Sequence, residues 1–592
     1  MNIVPLPVVL PLAGAALILF LNTVLPRRWV QGITLLFVLA EVALSAVLLH
    51  RSGSGTIVYW FGGWTPSHGV ALGISFTVDP LGAGGAVLAG LIVAAAVATT
   101  GSTARSTAGS TMENAQGFVH ALLLTLLAAM TGFCLTGDLF NLFVFFELMA
   151  VSAFALAALH TTSRAALRAA LNFAITNSVG AFLVLIGIAL LYSRSGALNL
   201  AQIGRALAAT GHLDRLTIIA FALLTVGFLI KAAVVPFHLW LVDTASTAPV
   251  PLVIILAGVL DTLGVYAVAR IYWTVFATSV GSHDTVVRTT LIVIGAVSAV
   301  TGATLALMFE GARRRLGCVM VSHTGILLVG VGCLSASGLA GAAVYAIGDG
   351  AVKAALIVGV TVAGAGGPAV SRARRRCGVG LLAVGGLALA GFPLFATGLG
   401  KAVIEDAASA AGYPWVTPVI VLAAVLSAAA VFDVAWSMAR PPFADVQTPD
   451  VQIPGSAGPS RWHIVFAVGS GLLALSAAAN VLGRWATHAA VRFVDTAGYQ
   501  QRVLGGGPAA VLGKAPASIQ LSVGGAAIDL LTVLAAVGLA AALNRSGADR
   551  AARQSTLRAV AARLHDGSIG DSVTWVTAGT AAVALVFAAN LR

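Results

Sequence analysis

Residues 215–240 read RLTIIAFALLTVGFLIKAAVVPFHLW, an apolar run long enough to cross a bilayer that carries Lys231 near its end and Pro236 five positions later. A crossing helix needs about 20 apolar residues. A lysine placed at its centre costs about 2.5–3.5 kcal/mol on insertion scales, so it must face protein or water. Proline removes a helix hydrogen bond and frees carbonyls that only a protein or water lining can satisfy. The stretch therefore predicts a membrane helix broken at an ion path. A second stretch, GFPLFATGLGK (391–401), repeats the combination in reverse order, with Pro393 ahead of Lys401. Five spans separate the two, so they run in opposite directions, as corresponding helices of an inverted repeat do.

The rest of the chain agrees with a membrane setting. Of 592 residues, 59% are hydrophobic and 9% charged, where soluble proteins carry about 25% charge. There is too little polar surface to cover a water-soluble body of this size. Apolar windows fall near 3–25, 29–50, 75–99, 117–136, 139–159, 169–193, 215–240, 249–272, 288–310, 315–335, 338–364, 379–410, 415–438 and 463–483, then 521–544 and 572–591. The expected fold is an all-α polytopic membrane protein of about 14 core helices with broken helices, plus about two C-terminal helices. The expected divisions are 1–116 (helices 1–3), 117–272, 288–438, 439–520 (helix 14 and a polar, lateral segment) and 521–592 (a two-helix extension). The first apolar stretch lacks a basic leader and is expected to be a retained helix.

The net charge of +12 does not indicate a nucleic-acid partner, because the arginines sit singly or in short clusters between spans. They read as topology signals instead. Nineteen arginines fall on one side and eleven basic residues on the other, which predicts an outer N-terminus by the positive-inside rule. Cys134, Cys318, Cys333 and Cys377 show neither a CxxC pair nor ligand spacing, so no disulfide framework, metal or cofactor site is expected. Without a dinucleotide fingerprint or cysteine cluster the chain has no redox centre of its own, and whether it serves a redox-driven enzyme, of the NADH/quinone or hydrogenase type, stays open.

Only four of the 33 basic residues are lysines, and three of these, Lys231, Lys353 and Lys401, lie within apolar spans. Arginine holds its proton under almost all conditions, whereas a desolvated lysine can release one. Glu147, Asp261 and Asp349 lie in spans as well. Six such groups cost about 15–20 kcal/mol before pairing, more than a typical net stability. A set of this size points to transport rather than helix glue, since buried ion pairs stabilise poorly relative to apolar packing. His238 and His323 are possible relays, whereas Glu41 and Asp433 read more readily as structural.

Several segments are similar to a known family: TGDLFNLFVFFELMAVSAFALAAL (136–159), IKAAVVPFHLWLVDTASTAPVPLVIILAGVL (230–260), VSHTG (321–325), VKAAL (352–356) and GFPLFATGLGK (391–401). They resemble the antiporter-like membrane subunits shared by respiratory complex I, membrane-bound hydrogenases and Mrp-type Na⁺/H⁺ antiporters. GDLFNLFVFFE and DTAGYQQRVLG (495–505) look most like the D-type subunit of the Mrp branch. The resemblance implies fourteen core helices, with two inverted five-helix repeats at 117–272 and 288–438, and a proton path in which Glu147 and Lys231 form a gate while Lys353 and Lys401 carry the proton onward. His238 and His323 match histidines of some members.

This chain departs from the pattern where many members have a lysine in LAGVLLKLG: it reads LAGVLDTLG, with Thr262 at that position and Asp261 beside it. Asp349 likewise replaces a histidine. LHDGSIGDSVTWV (564–576) looks like the tail of longer, complex I- and hydrogenase-type members. Three functions follow: a proton-translocating subunit of a multi-subunit complex with other membrane subunits as partners; a D-type subunit of an Mrp-type monovalent cation/proton antiporter moving protons and Na⁺; and a scaffold with a degenerate channel. The setting expected for each is the lipid bilayer of the cell membrane.

Overall fold

The computed structural model describes residues 3–22, 24–103, 115–159, 164–211, 213–364, 371–440, 462–505, 523–545 and 569–591. Arg105, Arg461, Lys514, Arg550, Arg553, Arg558, Arg563 and the start of the 564–576 motif lie outside the described residues.

Among the described residues, twelve helices are long and apolar enough to cross a membrane. A thirteenth results if Trp462–Ser476 and Ala479–Phe493, bent by 59° at Ala477–Ala478, are one span. The sequence suggests sixteen. The difference lies where apolar segments are short, as in Leu6–Leu21, or divided, as in 215–247 and 372–410. Helix Leu200–Thr210 has no counterpart among the expected spans, and neither has a small sheet in which strand Ile57–Trp60 pairs antiparallel with Ser75–Val78. This hairpin is tied to the start of the Leu139–Ala157 helix by Gly137 N donating to the Ser75 carbonyl at 2.9 Å. Asp138 caps that helix, its carboxylate accepting from Asn141 N at 2.8 Å, which satisfies one of the free N–H groups at a helix start.

Both proline-bearing segments are broken. The first helix, Arg215–Lys231, stops at the lysine itself, and a new one, Leu239–Thr247, begins after Pro236. Proline disfavours helical backbone in the residue before it and clashes with the carbonyl four back, so a helix cannot run through. Ala233 takes φ of 54°, a left-handed conformation that costs a residue with a Cβ about 1–2 kcal/mol. The second segment divides into Arg372–Leu389 and Ala396–Ala410, with Pro393 in the gap. The predicted eighth helix extends over Val250–Val280 and contains wide, π-type turns at Leu256–Leu260 and Tyr272–Phe276. Such turns frequently mark functional positions, and Asp261 directly follows the first.

Helix contacts use small residues, as expected where lipid supplies no hydrophobic drive between helices. Gly350 meets Gly258 so closely that a Cβ on Gly350 would lie 2.1 Å from the Gly258 carbonyl oxygen. That contact brings the Ala336–Gly364 helix against the wide turn preceding Asp261. The extension packs on the bundle at two separate places. Val523–Arg545 lies along Val416–Ala439, and Ile569–Asn590 lies along Arg215–Lys231, where Phe587 stacks on Phe221 with centroids 5.1 Å apart.

Candidate functional site

Each of the three buried lysines anchors a group of charged side chains. In the first, Lys231 ends its helix fully buried, and its ammonium has no hydrogen-bond partner among the described residues. It sits 5.1 Å from the centroid of the Phe146 ring, a cation–π contact worth about 0.5–2 kcal/mol. The residue after Phe146 is Glu147, half-buried, with one carboxylate oxygen enclosed and unbonded. Among the described residues, no ion pair within 4.0 Å joins Glu147 to Lys231. Glu147 thus directly follows the residue whose ring Lys231 faces. The break beside them is braced. Trp240 Nε1 donates to the Ile230 carbonyl at 3.0 Å, and Val235 N donates to Ser298 Oγ at 2.9 Å. These bonds answer the groups that a broken helix leaves open. His238 is buried directly ahead of Leu239–Thr247.

The second group lies on three helices. Lys353 Nζ is 3.1 Å from Asp261 Oδ2 and 2.9 Å from Asp349 Oδ2, one turn before it. Asp349 Oδ1 lies 2.8 Å from His323 Nδ1, which also contacts the Tyr345 hydroxyl at 2.7 Å. Tyr345, Asp349 and Lys353 follow at intervals of four and so share one helix face. Asp261 also accepts from Thr324 Oγ1 at 2.9 Å and from Thr262 N at 2.7 Å. In this group one ammonium faces two carboxylates. Gly264 connects the first two groups, lying against the backbone of Ala232, so that a Cβ there would be 2.5 Å from Ala232 N. Thr262, at the position where many family members carry a lysine, turns instead toward an apolar cavity lined by Cys134, Tyr266 and Trp485.

In the third group, Lys401 is buried on Ala396–Ala410, 3.8 Å from Glu405 on the same helix and 2.7 Å from Asp529. Pro393 lies in the gap before that helix. Glu405 and Asp529 are absent from the candidates drawn from the sequence, although each stands as a carboxylate in an apolar run. Such a carboxylate costs about 2.5–3.5 kcal/mol at a helix centre, which is signal enough. Glu41 and Asp433 stand apart from these groups. Glu41 accepts from Ser45 Oγ at 2.6 Å and Thr131 Oγ1 at 3.1 Å. Asp433 pairs with Arg315 and accepts from Asn544 Nδ2 at 3.2 Å.

The family model for NADH:quinone oxidoreductase/Mrp antiporter transmembrane subunits matches residues 136–427, a segment that contains the first two groups and Lys401. The D-type subunit of a probable K⁺/H⁺ antiporter of Rhizobium meliloti (strain 1021) is 32% identical over 351 residues, which cover 58% of this chain and 62% of the relative. The chain thus spans under two thirds of that relative's length. The D-type subunit of an Na⁺/H⁺ antiporter of Bacillus subtilis (strain 168) is 27% identical, over 72% of this chain and 84% of the relative. A chain in the structure of the Mrp complex from Dietzia sp. DQ12-45-1b superposes with a TM-score of 0.72 at 23% identity, over 85% of this chain and 99% of that one. That likeness establishes a shared fold. Residues 136–427, just under half of the chain, match the family of antiporter-like membrane subunits common to NADH:quinone oxidoreductases and Mrp antiporters.

Proposed function

We propose that this chain is a proton-translocating, antiporter-like subunit of a multi-subunit membrane complex. The observation that carries the reading is Lys231, a fully buried ammonium without a hydrogen-bond partner among the described residues, on a broken helix near Glu147. A structural ion pair would be closed and satisfied, because an unpaired buried charge is strongly destabilising. Glu147 and Lys231 form the gate, Lys353 and Lys401 carry the proton onward, and Asp261, Asp349, His323 and His238 are relay groups. The two breaks, each near a lysine, support reading 117–272 and 288–438 as inverted repeats. The arginine count supports an outer N-terminus in the plasma membrane, and the relatives' names as antiporter subunits support other membrane subunits as partners.

A second reading, a D-type subunit of an Mrp-type monovalent cation/proton antiporter, is favoured by one feature of the central group. Asp261 and Asp349 give it more carboxylates than cations, and carboxylate oxygens suit hard cations. The two readings differ in ion dependence. Proton flux is measured with a pH-sensitive dye in inverted vesicles holding the native complex, with and without added Na⁺ or K⁺, for wild type and Lys353→Ala. Flux lost in Lys353→Ala and indifferent to the salt supports the pump. Flux that requires Na⁺ or K⁺ supports exchange. Flux unchanged in Lys353→Ala refutes both and leaves a scaffold.

A further inference from the structure

The C-terminal extension lies outside the family match, which ends at residue 427, yet both of its helices rest on the two breaks. Gly579 of Ile569–Asn590 sits on Pro236 and Phe237, where a Cβ would come within 2.7 Å of either ring. Asp529 of Val523–Arg545 reaches the other break. Its carboxylate is 1% exposed on a helix otherwise largely open to the surroundings, and one oxygen lies 2.7 Å from Lys401 Nζ. The other oxygen is buried without a hydrogen-bond partner among the described residues. Gly391, at φ of 93°, makes the meeting possible, since a Cβ there would lie 2.8 Å from Lys401 Cε and 3.1 Å from the Asp529 oxygen. Within Lys401's own helix the available carboxylate, Glu405, stands off at 3.8 Å. The direct counter-charge therefore comes from the extension.

We propose that Asp529 is the positioning residue that holds Lys401 at the end of the ion path, so that the C-terminal extension gates the second broken helix. The inference rests on the reading of Lys401 as a proton carrier. Lys401 exchanges between Asp529, reached across the break, and Glu405, one turn along its own helix. The first contact holds the ammonium at the break, and the second points it along Ala396–Ala410. A second anchor exists at the far end of the same extension helix, where Asn544 donates to Asp433. Fifteen residues of helix, about 22 Å at 1.5 Å per residue, separate the two anchors. Loss of attachment can therefore be distinguished from loss of the counter-charge.

The test is proton flux in inverted vesicles carrying the native complex at matched subunit levels, for Lys401→Ala, Asp529→Asn, Asp529→Glu and Asn544→Ala. Lys401→Ala abolishes flux, Asp529→Asn lowers it about tenfold or more, and Asp529→Glu retains it, as removal of one buried partner but not its conservative replacement should. Asn544→Ala stays near wild type. Wild-type flux in Asp529→Asn with loss in Lys401→Ala overturns the inference and leaves the ion path standing. Equal loss in Asp529→Asn and Asn544→Ala also overturns it, because Asp529 would then serve only to attach the helix. Unchanged flux in Lys401→Ala overturns the ion path and this inference with it. If Asp529→Asn does not assemble, Lys401→Met is added to it: recovered assembly shows that the stranded ammonium was the cause, and no recovery refutes the pairing.

Discussion

Replacing Lys353 with methionine leaves the central group with two carboxylates and no ammonium. Asp261 Oδ2 and Asp349 Oδ2 lie 3.1 and 2.9 Å from the same nitrogen, so they are no more than about 6 Å apart. At an effective dielectric of about 20 their repulsion is roughly 3 kcal/mol, close to the 3–5 kcal/mol typical of breaking a buried pair by removing one partner. Lys353→Met should therefore lower the melting temperature of the detergent-solubilised complex and abolish proton flux. Adding Asp349→Asn removes the repulsion while leaving no proton carrier. The double variant should then recover most of the lost thermal stability and none of the flux. The assays are a thermal melt of the purified complex and dye-reported flux in inverted vesicles. A Lys353→Met protein as stable as wild type, or a double variant no more stable than the single, refutes the electrostatic account of this group.

Trp240→Phe keeps the stack on Phe173, whose rings are 4.6 Å apart, but removes the indole bond to the Ile230 carbonyl at the first break, leaving that oxygen its bond from Ala233 N at 3.1 Å. A hydrogen bond of this kind contributes about 0.5–1.5 kcal/mol, so both the melt and the flux should fall modestly; wild-type values in both would show that the break is held otherwise. Gly350→Ala forces a methyl against the Gly258 carbonyl, an overpacking that costs about 1–3 kcal/mol. It should reduce flux by separating Lys353 from Asp261, and a variant with unaltered flux would show that their contact is not required.

The spans and the membrane lysines can be read directly from the sequence because each is a local signal: an apolar run of fixed length, or a charge inside one. The breaks are legible too, through Pro236 and Pro393, although the first helix ends at Lys231, five residues ahead of its proline. What stays hidden depends on contacts between distant segments. Nothing near Lys401 indicates that Asp529, in another span, approaches to 2.7 Å. Tyr345 stands four residues before Asp349, on the same face as Lys353, but a neutral hydroxyl in a membrane helix gives no composition signal. The hairpin at Ile57–Trp60 and Ser75–Val78 consists of two four-residue strands too short for a periodic pattern to register. The wide turn before Asp261, which packs on Gly350, has no residue signature of its own.

The central claim is that Lys231 acts by taking up and releasing a proton opposite Glu147. Its most direct test is proton flux in inverted vesicles with Lys231→Arg beside Lys231→Ala and Glu147→Gln. Arginine keeps the charge and the length but stays protonated, so the account predicts that Lys231→Arg fails as completely as the other two. Wild-type flux in Lys231→Arg would show that a fixed positive charge suffices at this position and would contradict the account.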